Sequence, residues 1–234
     1  MTLPIRTLDL PTPETFEAPA IALEHLDWLK RESTRHNLTS VREGDWLVRH
    51  VMDSLVPAFA GWDIGGRFLD LGTGAGFPGI PLATRYPEAN FTLLEKKKKT
   101  ARLLDEFLKS SASIPRGEAV AERAENLARD SNHRGGYDTV VVRALAPLPV
   151  LIELAIPFLK VGGELWVWKS ALSELEGSHR ALEELRAAVS RAIRYRLPEE
   201  EQDRYLISIR KEGETTESYP RREGKPEKNP LRTP

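Results

Sequence analysis

Apolar residues recur along the chain with two different periods, and the change between them predicts the order of helices and strands. Residues 13–35 and 43–60 carry apolar side chains at helical spacing and precede the first strand-like run. From residue 68 onward, short apolar runs alternate with helical patterns, which predicts a doubly wound, mostly parallel α/β sheet. Further helices are predicted at 78–86, 97–111, 148–160 and 171–191, and strands at 68–71, 90–95, 117–121, 137–143, 164–169 and, antiparallel, 204–210.

The same pattern divides the chain into three parts. Residues 1–62 are predicted to form a helical cap, residues 63–211 the α/β core, and residues 212–234 a polar, basic tail that we expect to be flexible. The apolar stripes of the two cap helices predict these core positions: Ile21, Leu23, Leu26, Trp28 and Leu29 in the first, and Trp46, Leu47, Val51, Leu55 and Phe59 in the second.

Composition narrows the function classes. The 234 residues are 40% hydrophobic with a formal net charge of −1, so a polyanionic partner would need a local basic patch. Cysteine is absent, which excludes disulfides, thiolate metal sites and cysteine nucleophiles. No histidine has a partner at metal-ligand spacing, so no metal is predicted. The chain has no apolar run of membrane-spanning length and no export signal, and we therefore expect a cytoplasmic protein that binds no membrane.

The strongest functional signal is the segment FLDLGTGAGFPG at residues 68–79, where an apolar strand runs into glycines spaced by two. Glycine lets the backbone turn sharply and lie against a ligand, and the following helix directs its N-terminus at that ligand. Read from Asp70 as Asp-x-Gly-x-Gly-x-Gly, the turn suits S-adenosylmethionine (SAM), with the carboxylate receiving the methionine ammonium directly or through water. Read from Gly74, it also satisfies the dinucleotide pattern G-x-G-x-x-G, so both cofactors remain open at this point.

Two polar features follow the second strand of the core. Glu95 ends that strand, where a carboxylate can accept both ribose hydroxyls of an adenosine; the alternative is an ordinary acid in the first turn of the next helix. Four adjoining lysines could bind RNA phosphates without reading sequence, or could form a solvated helix face. These lysines are Lys96, Lys97, Lys98 and Lys99.

Later strands place further polar groups at the same edge of the sheet. Ala124 and Glu125 follow the third strand, where they could bound an adenine ring and accept from its amino group, or could lie on the surface. Arg143 and Lys169 end neighbouring strands, which favours an anionic substrate over purely structural ion pairs. His50 precedes the sheet, and a lone histidine is more often structural than catalytic.

If the cofactor is SAM, missing motifs narrow the methyl acceptor. Methylation of C5 in a pyrimidine usually requires a cysteine nucleophile, which is absent. The Asn- or Asp-Pro-Pro-aromatic motif of exocyclic amino methylation is also missing. Guanine N7 fits what is left, because its lone pair is free on the Hoogsteen edge and needs no base to activate it. Alignment of the two reactants would then supply the catalysis.

Several motifs together resemble one known family. They are Asn37-Leu-Thr39, Arg49-His50 with Asp53-Ser-Leu55, the segment DLGTGAGFPGIP from Asp70 to Pro81, Val142-Arg143-Ala144, the strand ending at Lys169, and the stretch from Tyr219 to Leu231. Over residues 35–231 the chain resembles the bacterial 16S rRNA guanine-N7 methyltransferases, also called glucose-inhibited division protein B. That family has a Rossmann-like class I SAM-dependent methyltransferase fold.

The resemblance implies a function and assigns residues to it. It implies SAM-dependent methylation of N7 of a guanosine in the decoding-centre loop of 16S rRNA, on free rRNA or on the small ribosomal subunit, by a protein that we expect to be a monomer. No residue is assigned as a catalytic base, and positioning falls to Asn37, His50, Arg143 and Lys169. The cofactor-binding residues, from the turn and the resemblance together, are Asp70, Gly72, Gly74, Gly76, Phe77, Glu95, Ala124, Glu125 and Arg143. The RNA-binding residues, from the basic run, the basic tail and the resemblance together, are Lys96, Lys97, Lys98, Lys99, Lys169, Arg221, Arg222 and Lys225.

The sequence departs from the family pattern at two places. Ser170 stands where the family usually has glycine and could narrow the substrate pocket, and the four consecutive lysines exceed the one or two basic residues typical there. Neither departure changes the expected cofactor. The alternative enzyme is a SAM-dependent methyltransferase of another RNA position or a small molecule, and the non-enzymatic alternative is a dinucleotide-sensing or RNA-binding module without turnover.

Overall fold

The computed structural model describes residues 3–111, 114, 116–143 and 145–233. Ala144, which belongs to one of the family motifs, lies outside the described residues. The same holds for Met1, Thr2 and Pro234 at the ends of the predicted cap and tail.

Helices and strands alternate through the middle of the chain, as the apolar pattern predicts. The strands are β1 (Ile5–Leu8), β2 (Arg67–Leu71), β3 (Asn90–Leu94), β4 (Gly117–Val120), β5 (Tyr137–Arg143), β6 (Leu159–Lys169), β7 (Ala187–Tyr195) and β8 (Arg204–Lys211). The α-helices are α1 (Ala20–Ser33), α2 (Val56–Phe59), α3 (Gly79–Arg85), α4 (Lys98–Ser110), α5 (Ala124–Leu127), α6 (Leu148–Ala155), α7 (His179–Glu184) and α8 (Lys225–Lys228). Short 3₁₀ turns occur at Glu43–Asp45, Ile156–Phe158 and Ser173–Ser178, and a π-helical stretch at Leu47–Met52.

The strands form a single sheet in the order β1-β7-β8-β6-β5-β2-β3-β4. Within the described ranges only β8 runs antiparallel to its neighbours, and the other pairs are parallel. This arrangement confirms the predicted doubly wound, mostly parallel sheet with a late antiparallel strand. The chain order reverses between β2 and β5, and doubly wound sheets bind ligands in the crevice outside the carboxyl ends of such strands.

Both faces of the central strands are buried. Val141 of β5 packs into one apolar cluster with Phe68 and Trp166, whereas Val140 and Val142 pack into the opposite cluster beneath α6. Successive side chains of a strand point to opposite faces, so a continuous valine run serves both layers. Each large apolar side chain buried in this way contributes about 1.5–3 kcal/mol to the stability of the fold. The positions of the strand ends at the carboxyl edge of the sheet are therefore well fixed.

The N-terminal part is only partly the helical cap that was predicted. Strand β1 joins the sheet by pairing with β7, and α1 begins later than expected because Pro19 holds an extended conformation with ψ 140°. The predicted helix over 43–60 is broken, since Pro57 lacks the N–H that a continuous helix would use. Leu23 is 47% exposed and is not a core residue. The other predicted core positions are buried (Trp28, Leu29, Trp46, Val51 and Leu55) or half-buried against the core (Ile21, Leu26, Leu47 and Phe59).

Two predicted helices end early, and strands replace their last residues. The prediction over 171–191 is wrong over its last residues, 187–191, where β7 lies between β1 and β8 and exchanges backbone hydrogen bonds with both. These ladders outweigh a weak local helical pattern. The prediction over 148–160 is wrong at its end, because a 3₁₀ turn containing Pro157 stops the helix and β6 begins at Leu159.

The expectation of a flexible tail is wrong for the residues that the structure describes. Leu231 is 3% exposed and belongs to the apolar cluster beneath α6, and Pro226 in α8 is also buried. Arg221 forms an ion pair with Glu153, whose side chain is fully buried. The tail is therefore packed onto the domain, and an apolar anchor and a buried charge pair hold it there.

Candidate functional site

The glycine turn after β2 has the backbone shape that its sequence demands. Gly72, Gly74 and Gly76 all have positive φ values, of 73°, 58° and 96°. A Cβ on Gly76 would lie 2.5 Å from the Cδ1 of Ile80, so a larger residue is excluded by contact as well as by conformation. The backbone N–H of Gly72 donates to the carbonyl of Leu94 (2.9 Å), which joins the turn to the end of β3.

Asp70 is fully buried at the end of β2 and keeps one oxygen without a partner. Its Oδ2 accepts hydrogen bonds from the Thr73 hydroxyl (2.6 Å) and the Gly79 N–H (2.7 Å), whereas its Oδ1 has no hydrogen-bond partner among the described residues. Burial raises the pKa of Asp70 to about 7, although both hydrogen bonds act in the opposite direction. An orphaned, buried carboxylate oxygen beside a glycine turn fits a cationic ligand group such as the methionine ammonium of SAM.

Glu95 lies at the end of β3 and faces the glycine turn. Its Oε2 accepts from the N–H of Gly74 (3.2 Å) and its Oε1 from the N–H of Lys97 (2.8 Å). The carboxylate lines a narrow cleft with Gly72 and Ala124. Each carboxylate oxygen of Glu95 accepts one hydrogen bond and can accept another, as binding of the two ribose hydroxyls would require. The role in ribose binding stays a prediction.

Ala124 and Glu125 begin α5 and line the same cleft as Gly72 and Glu95. The Oε1 of Glu125 is occupied, because it accepts from the N–H of Gly224 (2.9 Å) and from Arg123 (3.3 Å). Burial alone would raise the pKa of Glu125, but these hydrogen bonds hold that pKa below its usual value. Glu125 therefore holds the tail through Gly224, and only its Oε2 is left for an adenine amino group.

The four lysines after β3 are all exposed, at the start of α4. Positive charge at a helix N-terminus opposes the helix dipole, so these side chains add nothing to the stability of α4. Within the described chain none of the four forms an ion pair, and the structure leaves both the phosphate-binding and the solvated-face interpretations open.

Arg143 connects the glycine turn to a second cleft. Its guanidinium donates to Asp53 Oδ2 (3.1 Å), to the carbonyl of Arg49 (3.0 Å) and to His50 Nδ1 (3.2 Å). The same guanidinium lies 5.7 Å from the ring centroid of Phe77, whose ring stacks on His50 at 4.4 Å. Arg143 is thus a member of an ion pair, with Asp53, as the structural interpretation predicted. It also lies beside Phe77 of the glycine turn, which is where the family resemblance places it.

His50 is neutral in this setting. Burial, together with the positive charge of Arg143, lowers the pKa of His50 to about 3. Because Arg143 donates to Nδ1, the ring proton belongs on Nε2, which lies 2.8 Å from the Thr39 hydroxyl. His25 is a further residue that the sequence did not single out: its ring packs on Phe77 at 4.5 Å and its Nε2 bonds to the carbonyl of Ala75.

The second cleft, which we name the acceptor cleft, has a volume of about 570 Å³. Lys169 enters it from the end of β6, with its ammonium 2.9 Å from Glu174 Oε2 and 2.9 Å from the carbonyl of Ala146. Glu174 follows in the 3₁₀ turn, and no sequence motif pointed to it. The lining also includes Thr39, His50, Asp53, Arg143, Trp168, Ser170, Tyr195 and Arg204.

Several predicted residues are not brought into these clefts. Asn37 is exposed and lies beside the acceptor cleft, whose lining begins at Leu38. Arg221 is paired with Glu153 and its side chain is only 16% exposed, so its predicted role in RNA binding stays a prediction that this placement does not favour. Arg222 and Lys225 are exposed on the packed tail and keep their predicted role as expectations.

Neither a metal-ligand cluster nor a membrane-spanning helix occurs in the described residues. Within them no group of three or more His, Asp or Glu side chains is arranged to hold a metal ion. Those same ranges contain no helix long and apolar enough to cross a bilayer.

Comparison with known proteins identifies the family. A family model described as GidB, rRNA small subunit methyltransferase G, matches residues 20–206. The chain belongs to the GidB family. Among the relatives of this GidB chain, the ribosomal RNA small subunit methyltransferase G of Deinococcus radiodurans is 40% identical and covers 87% of this chain and 81% of its own length. The protein of the same name from Oenococcus oeni is 37% identical, with 88% and 87% covered.

Solved structures agree with the fold of this GidB chain. A predicted O-methyltransferase from Agrobacterium tumefaciens matches 64% of this chain and 76% of its own, with a TM-score of 0.50 at 23% identity. The Escherichia coli protein yhhF matches 70% of this chain and 86% of its own, with a TM-score of 0.51 at 17% identity. At such identities the likeness shows the fold, which is the Rossmann-like fold of SAM-dependent methyltransferases.

Proposed function

We propose that this chain transfers the methyl group of SAM to N7 of a guanosine in the decoding-centre loop of 16S rRNA. Membership of the GidB family makes it a SAM-dependent rRNA methyltransferase. The methylated base, the atom and the loop are the finer proposal. The single observation that supports a two-substrate site best is the stack of Phe77, from the cofactor turn, on His50, from the acceptor cleft.

The cofactor half is built for a cationic amino acid joined to a nucleoside. Asp70 offers its free Oδ1 to the ammonium, and Glu95 faces the position of the ribose across the glycine turn. Ala124 bounds the far end of the same cleft, where an adenine would lie. When bound, SAM supplies a methyl group attached to a positively charged sulfur. Transfer of that methyl group to the lone pair of N7 releases S-adenosylhomocysteine.

The acceptor cleft presents a hydrogen-bond donor, Lys169, beside a hydrogen-bond acceptor, Glu174. The Lys169 ammonium and the Glu174 carboxylate are 2.9 Å apart, and Glu174 Oε1 has no hydrogen-bond partner among the described residues. Guanine carries the complementary set, with the O6 acceptor next to the N1–H donor, whereas adenine carries the reverse. A guanine held by its O6 and N1–H leaves the N7 lone pair free for methylation.

Attack by the N7 lone pair requires no base, and among the described acidic and histidine side chains of the acceptor cleft only Glu174 keeps a free oxygen, which we assign to the guanine N1–H. The oxygens of Asp53 are engaged by Arg143 and by the Tyr195 hydroxyl (2.6 Å), and His50 is neutral with both ring nitrogens engaged. The contribution of the protein is then alignment, which can lower a barrier by roughly 7–11 kcal/mol when both reactants are held in line.

The remaining proposals concern the partner and its setting. Exposed cations near the clefts, in the four-lysine run and at Arg222 and Lys225, would contact rRNA phosphates. We further propose a cytoplasmic monomer that acts on 16S rRNA, free or in the small subunit. The division into an N-terminal cap, a core and a C-terminal tail is kept as a proposal as well.

The decisive experiment uses small ribosomal subunits that lack the modification. The protein is incubated with them and with SAM labelled in the methyl group, and 7-methylguanosine is mapped by chemical strand cleavage. We expect one cleavage in the decoding-centre loop of 16S rRNA. Label at another RNA position, or in a small molecule only, would favour the alternative methyltransferase, and SAM binding without transfer would favour a binding module.

A further inference from the structure

The C-terminal segment, residues 219–231, lies against the cofactor cleft rather than out in solvent. Its anchor is Arg221, which donates to Glu153 from its backbone N–H (2.9 Å), its Nε (2.8 Å) and its Nη2 (2.6 Å). Leu231 closes the segment by burying its side chain in the core. Such an anchor gives the intervening residues a fixed position relative to the sheet.

The middle of the C-terminal segment touches the residues that follow β4. The N–H of Gly224 donates to Glu125 Oε1 (2.9 Å), and Arg123 forms ion pairs with both Glu125 (3.3 Å) and Glu223 (3.0 Å). Three residues further on, Glu227 lines the cleft itself, together with Gly72, Glu95 and Ala124 of the cofactor half. One wall of the cofactor cleft is therefore supplied by the C-terminal segment.

Of the carboxylates that line this cleft, Glu227 has the most unused capacity. Glu122 accepts from the N–H of Arg123 and from Asn126, Glu125 accepts from Gly224, and each oxygen of Glu95 accepts from a backbone N–H. Glu227 accepts no hydrogen bond from any residue that the structure describes. Glu227 is exposed, and its carboxylate is therefore free of protein donors at the point where a ligand enters the cleft.

We infer that Glu227 is a cofactor-binding residue, which accepts a hydrogen bond from the 6-amino group of the adenine of SAM. The inference rests on the proposed function only in taking SAM as the ligand of this cleft. The lining also includes four leucines, whose apolar side chains suit the faces of a purine ring, together with Lys96 and Arg123. The adenine amino group is the donor at this end of SAM, and a carboxylate is the matching acceptor.

The test compares two ligands and three proteins by isothermal titration calorimetry. The ligands are S-adenosylhomocysteine and S-inosylhomocysteine, in which a carbonyl replaces the 6-amino group. The proteins are the full-length wild type, Glu227→Gln and the matched control Glu217→Gln, an exposed acid of the tail outside the cleft. We expect the wild type to bind the adenosyl ligand about 10-fold more tightly, as a hydrogen bond to a charged group allows.

In Glu227→Gln the preference for the adenosyl ligand should fall to about twofold or less, whereas Glu217→Gln should keep it. A variant that weakens both ligands equally would show that Glu227 supports the cleft without touching the amino group, which overturns the inference. An unchanged preference overturns it too. If the wild type binds neither S-adenosylhomocysteine nor SAM, the assignment of the cofactor itself fails. Melting temperatures of all three proteins check that the substitutions leave the fold intact.

Discussion

Replacing Arg221 by methionine should destabilise the fold, rather than only weaken RNA binding as the sequence suggests. The substitution keeps most of the side-chain volume but removes the cation from Glu153. That carboxylate is fully buried and would retain only the backbone N–H of residue 221 as a donor. Breaking a buried ion pair by removing one partner costs about 3–5 kcal/mol, because the remaining charge is left uncompensated.

The size of this effect can be converted into a melting temperature. For a chain of this length, each kcal/mol corresponds to roughly 2–4 °C, so Arg221→Met should lower the melting temperature by about 6–20 °C. Arg222→Met is the matched control, since Arg222 is exposed and its replacement should change stability by about 0.5 kcal/mol or less. Urea unfolding followed by circular dichroism measures both free energies directly.

The double variant Arg221→Met with Glu153→Gln distinguishes a buried charge from loss of packing. Removing both the Glu153 carboxylate and the Arg221 cation should recover a large part of the lost stability, because no ion then remains buried. Arg221→Met within 1 kcal/mol of the wild type would refute the reasoning. So would a double variant that is no more stable than the single one.

Three further predictions concern the clefts. The pKa of Asp70 is raised to about 7, so the contribution of Asp70 to the stability of the ligand-free fold is lost as the pH rises from about 4 to 7, and Asp70→Asn should make the free energy of unfolding rise more steeply with pH over this range; SAM binding measured by calorimetry should strengthen from pH 6 to 8 in the wild type and not in Asp70→Asn. The pKa values of His25 and His50 are lowered to about 3, so both contribute stability that is lost as the pH falls from 6.5 towards 3, and His50→Gln should flatten the urea stability profile between pH 6.5 and 4.5. Glu174→Gln should lower kcat/KM for the small subunit about 10-fold, mainly through KM, with SAM affinity unchanged, whereas the exposed neighbour Glu176→Gln should match the wild type; equal kinetics of the two variants would remove Glu174 from base recognition.

Local signals predicted the shape of the glycine turn and the strand ends beside it, while the cofactor-binding roles assigned to these residues stay predictions. The turn at Gly72, Gly74 and Gly76 requires positive φ, a property that glycine spacing alone encodes. Asp70 and Glu95 end strands whose apolar runs are visible in the sequence, and the carboxyl edge of a parallel sheet brings such ends together. These features depend on short stretches of chain, and the sequence contains all the information they need.

Features made by distant pairs were missed for a physical reason. Arg221 meets Glu153 across 68 residues, and nothing in the local composition of a polar tail tells a buried arginine from a free one. Strand β7 has a weak helical pattern, and its conformation is decided by its partners β1 and β8. Glu174 lies in a short turn without a motif, and only the ion pair with Lys169 shows its place in the acceptor cleft.

If the reaction is N7 methylation and needs no base, as proposed, the link between the two clefts gives the protein a means of controlling it. Phe77 belongs to the cofactor turn, yet its ring is held by His50, and His50 in turn accepts from Arg143. Arg143 is fixed by Asp53, which also accepts from the hydroxyl of Tyr195 at the end of β7. A rigid chain of contacts therefore runs from the turn to the far side of the acceptor cleft. If alignment is the main source of rate, as proposed, a change at any link should lower turnover even where each substrate still binds.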